Sequence, residues 1–375
     1  MSCGDPARTT IAESSKTRLC LQSDGHPYRR RDSPPNTASP APPCRAFRHH
    51  WTRMRHVFAG MTGGHVDPSR NTDARPMHEN ELVLSTAQAK SIIQDEFPQW
   101  GALQVRPLAS SGTVNRIFRL GDELSARFPR VVADDQTAEL AFLQQEVDTG
   151  QELREATHFP IPEQVAIGHP TADYPGHWAV HTWLQGTSAA EADLSGSSAF
   201  AEEIVRFVSD VRAIPVRGRS FRGGGRGGDL KFAEEWMETC FSESKGLLDV
   251  KRLRRYWSEA RELPRDSADT MTHGDLIATN LLVDDHALVG VLDVGGLGPA
   301  DPALDLMGLW SLFDDDRRQL VRRELKCTDL EWSRGQAWAF QQAMGAVWYY
   351  VTTNPTMADL ARRALRNVSE AGHGG

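Results

Sequence analysis

The segment MTHGDLIATNLLVDDHALVGVLDVGG, residues 271–296, constrains the fold more than any other part of the chain. Its apolar runs are too short for helices, rich in Leu and Val and separated by polar residues, so it reads as two short strands around a loop. On that framework Asp275 is followed five residues later by Asn280, and Asn280 thirteen residues later by Asp293. A lone Asp is usually a turn or cap residue. Three oxygen-bearing side chains at this spacing, next to strand ends, argue for a site instead.

Elsewhere the pattern divides the chain into unlike parts. Residues 1–76 alternate Arg, Ser, Pro, Thr and Gly, as in RRRDSPPNTASPAPP at 29–43, and cannot bury enough apolar surface to offset the entropy of ordering. A disordered basic leader is expected. The abrupt change at MHENELVLS favours a start placed too far upstream, with Met61 or Met77 as the true beginning, over an organelle transit peptide. These 76 residues hold 12 Lys/Arg and 6 Asp/Glu; the whole chain has 42 and 50, leaving 30 and 44, a net charge of −14, for residues 77–375. An acidic body disfavours nucleic acid as the main partner and is compatible with a cationic ligand.

The five cysteines are an odd number, scattered without the paired spacing of metal or redox sites, so neither disulfide nor metal is assigned to them. No run approaches the roughly 20 apolar residues of a membrane span, and the expectation is a cytoplasmic protein with no membrane partner.

Ser85 reads as the N-cap of a first helix, TAQAKSIIQDEF, with Ile92, Ile93 and Phe97 on one stripe. Residues 103–130 alternate around a polar turn at Ser110–Thr113 and another at Gly121–Asp122, predicting a meander of three antiparallel strands. Residues 136–156 are helical in composition, FPIPEQVAIGHP returns to strand, and HWAVHTWLQG (177–186) is an apolar strand ending at a glycine. From Ser188 the pattern is mostly helical. The glycine-rich stretch RGRSFRGGGRGG (217–228) interrupts it and is read as a flexible connection rather than an RNA-binding Arg-Gly box, because only one short copy is present.

Phosphoryl transfer to a hydroxyl needs an acceptor for the hydroxyl's proton or hydrogen bond, and oxygen ligands for Mg ions bridging nucleotide phosphates. Asp275 fits the first role; Asn280 and Asp293 fit the second. His273 is read as a support for the loop, Asp301 as a cap for the turn starting at Pro302, and Asp305 as at least equally structural.

With its HGD triplet, this segment resembles the catalytic loop of the aminoglycoside/choline-type phosphotransferases, relatives of protein kinases. The resemblance covers roughly residues 85–370 and includes LDVGGLGPADPALDL (292–306), LSARFPR (124–130), AFLQQEVDTG and WYYVTTNPTMADLARRAL (348–365). It implies an α+β, two-lobed protein-kinase-like fold: a nucleotide-binding lobe at 77–186 with a small antiparallel sheet, and a larger, mainly helical catalytic and substrate-binding lobe at 187–375. It further implies transfer of the γ-phosphate of ATP, or alternatively GTP, to a hydroxyl of an aminoglycoside-like or other small molecule, with Mg2+ as cofactor. Asp275 is then the catalytic residue and Asn280 and Asp293 the metal ligands. Ser111, Gly112 and Thr113 are expected over the phosphates, Arg127 and Glu146 as the phosphate-contacting cation and its helix partner, and Thr182, Trp183 and Leu184 beside the adenine.

The chain departs from the family pattern at Ile277, Ala278 and Thr279, at Val294 after the metal Asp, and at Gly296, where many relatives carry a polar residue. An alternative reading is therefore a nucleotide-binding module that has lost transfer. Candidate recognition of a cationic acceptor falls to Asp314, Asp315, Asp316, Asp329 and Glu331, against the plainer reading that they solvate helix ends. The sequence leaves oligomeric state open.

Overall fold

The computed structural model describes residues 81–108, 114–223 and 225–371. The leader and the turn residues Ser111, Gly112 and Thr113 lie outside these. The first lobe begins with helix α1 (Thr86–Glu96), whose Ser85 hydroxyl accepts from the Gln88 amide while the Gln88 side chain accepts from the Ser85 amide. Both otherwise orphaned amides are thereby satisfied. Ser85→Ala is expected to cost about 1 kcal/mol, measurable as a lowered thermal midpoint.

Five strands form one antiparallel sheet: β1 (Val105–Pro107), β2 (Asn115–Leu120), β3 (Leu124–Pro129), β4 (Gln164–Gly168) and β5 (Trp178–Thr182), in the order β1-β2-β3-β5-β4. The register pairs Arg127 with Ala179 and Ser125 with His181. Because side chains alternate along a strand, Phe128, Val180 and Trp178 enter the lobe's core with Ile92 and Ile93 of α1. Phe128 stacks on Trp178 at 4.6 Å and meets Tyr174 edge-on at 5.1 Å. Arg127, Ala179 and His181 are left on the opposite face, toward helix α2 (Gln136–Ala156). Asp135 caps that helix by accepting from the Ala138 amide at 3.0 Å.

After the short strand β6 (Thr187–Ser188), the second lobe contains α3 (Ser198–Ala213), α4 (Glu234–Glu243) and α5 (Val250–Ala260). Strand β7 (Thr270–Thr272), the hairpin β8 (Leu281–Asp284) and β9 (Ala287–Val291), and β10 (Gly298–Ala300) follow. The short helix α6 (Leu309–Leu312), α7 (Asp315–Glu324), α8 (Asp329–Tyr349) and α9 (Pro355–Ala371) complete it. Apolar residues run all round α8, and Trp338, Phe340, Met344 and Val347 are buried on its different sides, as befits a helix at the centre of a lobe.

Two details differ from the sequence reading. The 271–293 stretch carries three strands, because β7 pairs not with its neighbours but with β10; three-residue strands leave no alternation to detect. The second lobe's core also reaches back before residue 187, to Leu153, Phe159 and Ile161, so the end of α2 belongs to both halves of the molecule.

Candidate active site

The loop after β7 is held from below by a buried carboxylate. Asp305 accepts from the His273 amide at 2.8 Å and the Gly274 amide at 3.0 Å. Burial pushes its carboxyl up, opposed by His273 and these two amides. The fully buried His273 ring reaches the Leu292 carbonyl through Nε2 at 3.1 Å, which leaves Nδ1 to accept from the Asp275 amide at 3.4 Å. Both residues thus support the loop, as their sequence context suggested. Asp301 likewise accepts from the Ala303 amide and pairs with Arg334.

Gly274 adopts φ +84°, and a Cβ there would stand 2.8 Å from the Gly296 carbonyl oxygen. A Cβ on Gly296 would in turn meet the His273 carbonyl at 2.9 Å. The close crossing of these two backbones explains why no polar side chain stands at 296. Gly274→Ala is expected to cost about 1–3 kcal/mol in strain and to reduce turnover, read by denaturation and steady-state kinetics together.

Asp275 then emerges with its side chain 19% exposed. The Asn280 amide nitrogen donates to the Asp275 backbone carbonyl at 2.9 Å and to its Oδ2 at 3.1 Å. Turned this way, Asn280 directs its own carbonyl oxygen away from the loop. The Asn280 backbone carbonyl accepts from the Leu292 amide at 2.8 Å, which ties the loop to the residue before Asp293. Asp293 itself is left-handed, φ 58° and ψ 57°, a conformation that costs about 1–3 kcal/mol for such a residue and is often found at ligand sites. Asp275 and Asn280 are thus in direct hydrogen-bond contact, and the residue before Asp293 is bonded to Asn280.

Asp293 also lines a cleft between the sheet and α2, with Asn115, Arg127, Glu139, Glu146, Ala179 and His181. Glu146 packs on the turn after Asp293, where a Cβ on Gly295 would lie 2.7 Å from its Oε1. Arg127 and Glu146 therefore line the same cleft. At its inner end Arg127 Nε, His181 Nδ1 and Gln164 Oε1 are buried without a protein hydrogen-bond partner. Burial, and then the Arg127 charge, hold the His181 imidazole well below its usual range, so it is neutral at pH 7. Buried orphan donors and acceptors imply a polar ligand or water as partner, and a nucleotide fits that requirement. Asn280 and Asp293 supply hard oxygens of the kind Mg2+ takes, one or two from protein with the rest from phosphate and water.

In the stretch expected beside the base, two backbone amides are already committed. The Thr182 amide donates to the Glu163 carbonyl at 2.8 Å and the Trp183 amide to the Glu123 carbonyl at 2.7 Å, while the Trp183 ring lies under the Arg119 guanidinium at 4.0 Å. Both amides are spent within the small lobe, so neither is available to a base. The phosphate turn at Ser111–Thr113 lies outside the described residues.

The larger correction concerns residues 217–228. Among the described residues of this loop, Arg219 forms a two-bond pair with Glu152 at 2.8 Å each, and the Phe221 amide donates to Asp269 Oδ2 at 2.6 Å. The Gly227 carbonyl accepts from the Asp301 amide at 3.0 Å and the Gly228 carbonyl from Arg334 at 2.8 Å. Far from a loose connection, the loop is anchored at several points and brings Arg226 Nη2 to 2.9 Å from Asp275 Oδ1. Sequence reasoning missed Arg226; an arginine among glycines carries no spacing signal, and only the positive charge of the stretch hinted at it.

The acidic residues offered for a cationic acceptor turn out to be engaged by arginines at helix starts. Asp314 caps α7 and pairs with Arg317 at 3.0 Å; Asp315 pairs with Arg318 at 3.0 Å and Asp316 with Arg317 at 3.5 Å. Asp329 and Glu331, in the first turn of α8, pair with Arg322 and, at 2.7 Å, Arg212. Negative charge at a helix N-terminus is favourable in itself. No helix among the described residues is long and apolar enough to cross a membrane.

Comparison with known proteins agrees with this geometry. The sequence pattern of the phosphotransferase enzyme family matches residues 105–339. An aminoglycoside 3'-phosphotransferase of Salmonella typhimurium is 27% identical over 226 residues, 57% of this chain and 78% of that protein. One of Escherichia coli is 36% identical over 154 residues, covering 39% and 56%. Among solved structures, the GDP complex of wild-type aminoglycoside 2'-phosphotransferase-IIIa superposes with a TM-score of 0.57 at 16% identity, covering 77% of this chain and all of that one. The GDP and kanamycin complex of APH(2")-IIia gives 0.55 at 17%, covering 76% and 99%. With the family pattern matched across both lobes and the kinase-like fold shared with these enzymes, the chain belongs to the phosphotransferase enzyme family.

Proposed function

We propose that the protein transfers the γ-phosphoryl group of ATP to a hydroxyl of a small molecule. The observation that carries this reading is the hydrogen-bonded unit of Asp275, Asn280 and the strand end before Asp293. Such transfer leaves little covalent work to the protein and depends on positioning and charge stabilisation. Asp275 accepts the hydrogen bond of the incoming hydroxyl, orients its oxygen and takes up its proton; that oxygen bonds to phosphorus as the bond from phosphorus to the bridging oxygen of ADP breaks, the electron pair leaving with ADP. Asn280, anchored through its amide nitrogen, offers its carbonyl oxygen to Mg2+, as Asp293 does its carboxylate. The bound metal would neutralise charge on the phosphates. Arg127 contacts the phosphates from β3, and Glu146 steadies the turn after Asp293. Leu184 is the remaining backbone donor of that stretch for the base at the end of β5.

The relatives are named for aminoglycosides; for this chain the reading is a small hydroxyl compound. It is tested by ADP release from full-length protein with Mg-ATP or Mg-GTP over a panel of aminoglycosides, macrolides, amino alcohols and sugars. Stimulation by one class, absent in Asp275→Asn, is the expected result. Mg-dependent nucleotide binding with no stimulation by any compound would favour the module that binds without transfer.

A further inference from the structure

We propose that Arg226 belongs to the acceptor site and selects a hydroxyl compound that carries no positive charge beside the reacting hydroxyl. This rests on the reading of Asp275 as the group that receives the hydroxyl.

The position of the Arg226 guanidinium is built into the fold. Its loop is fixed on one side by the Arg219–Glu152 pair and by the Phe221 amide on Asp269. On the other side the Gly227 and Gly228 carbonyls accept from the Asp301 amide and from Arg334. A Cβ on Gly227 would stand 2.7 Å from the Ala300 Cβ, and one on Gly228 2.5 Å from the Phe221 ring, so the chain entering Arg226 from that side runs too close to its neighbours for any other residue. Gly227 and Gly228 thus meet a packing requirement of the chain that brings a cation to the catalytic carboxylate.

At its destination Arg226 is 11% exposed and Asp275 19%. Charges so far out of water are weakly screened and act strongly over a few ångströms. Arg226 donates to one carboxylate oxygen of Asp275 and Asn280 to the other. An ammonium brought in beside the reacting hydroxyl would meet this guanidinium, at a carboxylate whose charge is already matched. The carboxylates that a polyamine would seek elsewhere in this lobe, Asp314, Asp315, Asp316, Asp329 and Glu331, each have an arginine against them.

Beside the catalytic loop, a narrow crevice is lined by Ile277, Ala278, Ser311, Ala346, Met357 and Leu360, together with other uncharged residues. Its wall offers apolar contact, the Thr279 and Ser311 hydroxyls and the Gln342 amide, but no carboxylate. A neutral alcohol can exchange water for those polar groups, whereas an ammonium would shed water with no carboxylate there to balance its charge. The net −14 of residues 77–375 attracts cations at long range, but discrimination is decided at contact, where the Asp275 carboxylate is already paired with the Arg226 guanidinium.

The test uses full-length protein with Mg-ATP and two matched acceptors, a cyclitol and the aminocyclitol in which an amine replaces the hydroxyl next to the reacting one. ADP release is measured for the native chain, Arg226→Gln and Arg226→Lys, with Asp275→Asn as control. The native chain is expected to favour the cyclitol at least tenfold in kcat/KM. Arg226→Gln should reduce that preference at least tenfold, mainly through a lower KM for the amine, and Arg226→Lys should restore it. Preference for the amine by the native chain, or equal losses for both acceptors in Arg226→Gln, overturns the proposal. If neither compound is turned over, calorimetric binding to protein loaded with a non-hydrolysable ATP analogue decides: binding of the cyclitol alone supports it, and tighter or equal binding of the amine, or binding of neither, overturns it. ADP release unchanged in Asp275→Asn would instead remove the kinase reading, so the two failures are distinct.

Discussion

Asp275→Asn is expected to lower turnover on the order of a thousandfold, the scale of a positioned acid–base group, while leaving nucleotide affinity nearly unchanged. The substitution keeps shape but removes one acceptor oxygen and introduces donors facing Arg226 or the Asn280 amide, which now approach at 2.9 and 3.1 Å. On the proposed reading the incoming hydroxyl therefore loses its partner, while the cleft lined by Arg127, Glu146 and His181 is untouched. Steady-state ADP release and nucleotide titration measure the two quantities separately. A variant retaining more than a tenth of native turnover would mean that another group receives the hydroxyl.

The second large effect is on stability. Asp301→Ala is expected to destabilise the protein by about 3–5 kcal/mol, the cost of leaving one member of a buried ion pair without the other. Asp301 Oδ2 lies 2.6 Å from Arg334 Nε, and the two side chains are 1% and 2% exposed. The guanidinium also donates to the Leu263, Pro264 and Gly228 carbonyls, so it cannot turn to solvent without abandoning all three. A urea titration followed by circular dichroism reads the loss as a lowered midpoint; a change below about 1 kcal/mol would mean that Arg334 is satisfied by its carbonyls alone. Since one of those carbonyls belongs to the loop carrying Arg226, a partial loss of activity should accompany the loss of stability.

Local features of this protein were legible because their signals are short-range. Helix α2 coincides with the stretch read as helical, and Ser85 caps α1 through a hydroxyl and a glutamine three residues apart. The three-strand meander follows from alternation and turn residues, which specify pairing between neighbours. Asp275, Asn280 and Asp293 were found because they lie in one continuous segment, spaced along a single loop and hairpin. Strands β7 and β10 were not resolved in advance, since their pairing spans 26 residues between Thr272 and Gly298 and each is three residues long.

What the sequence by itself determined was the helices and strands of the first half and the spacing of Asp275, Asn280 and Asp293, because periodicity, capping and spacing are written in contiguous residues, while the two-lobed α+β architecture was implied by the resemblance those residues carry. Only the tertiary structure decided that the Thr182 and Trp183 amides are spent on their own lobe, that the acidic candidates are paired with arginines, and that Arg226 faces Asp275 across 49 residues of chain. Those outcomes depend on which group reaches a buried charge or amide first when distant segments pack, and an unpaired polar group in a protein interior costs too much to leave the choice open.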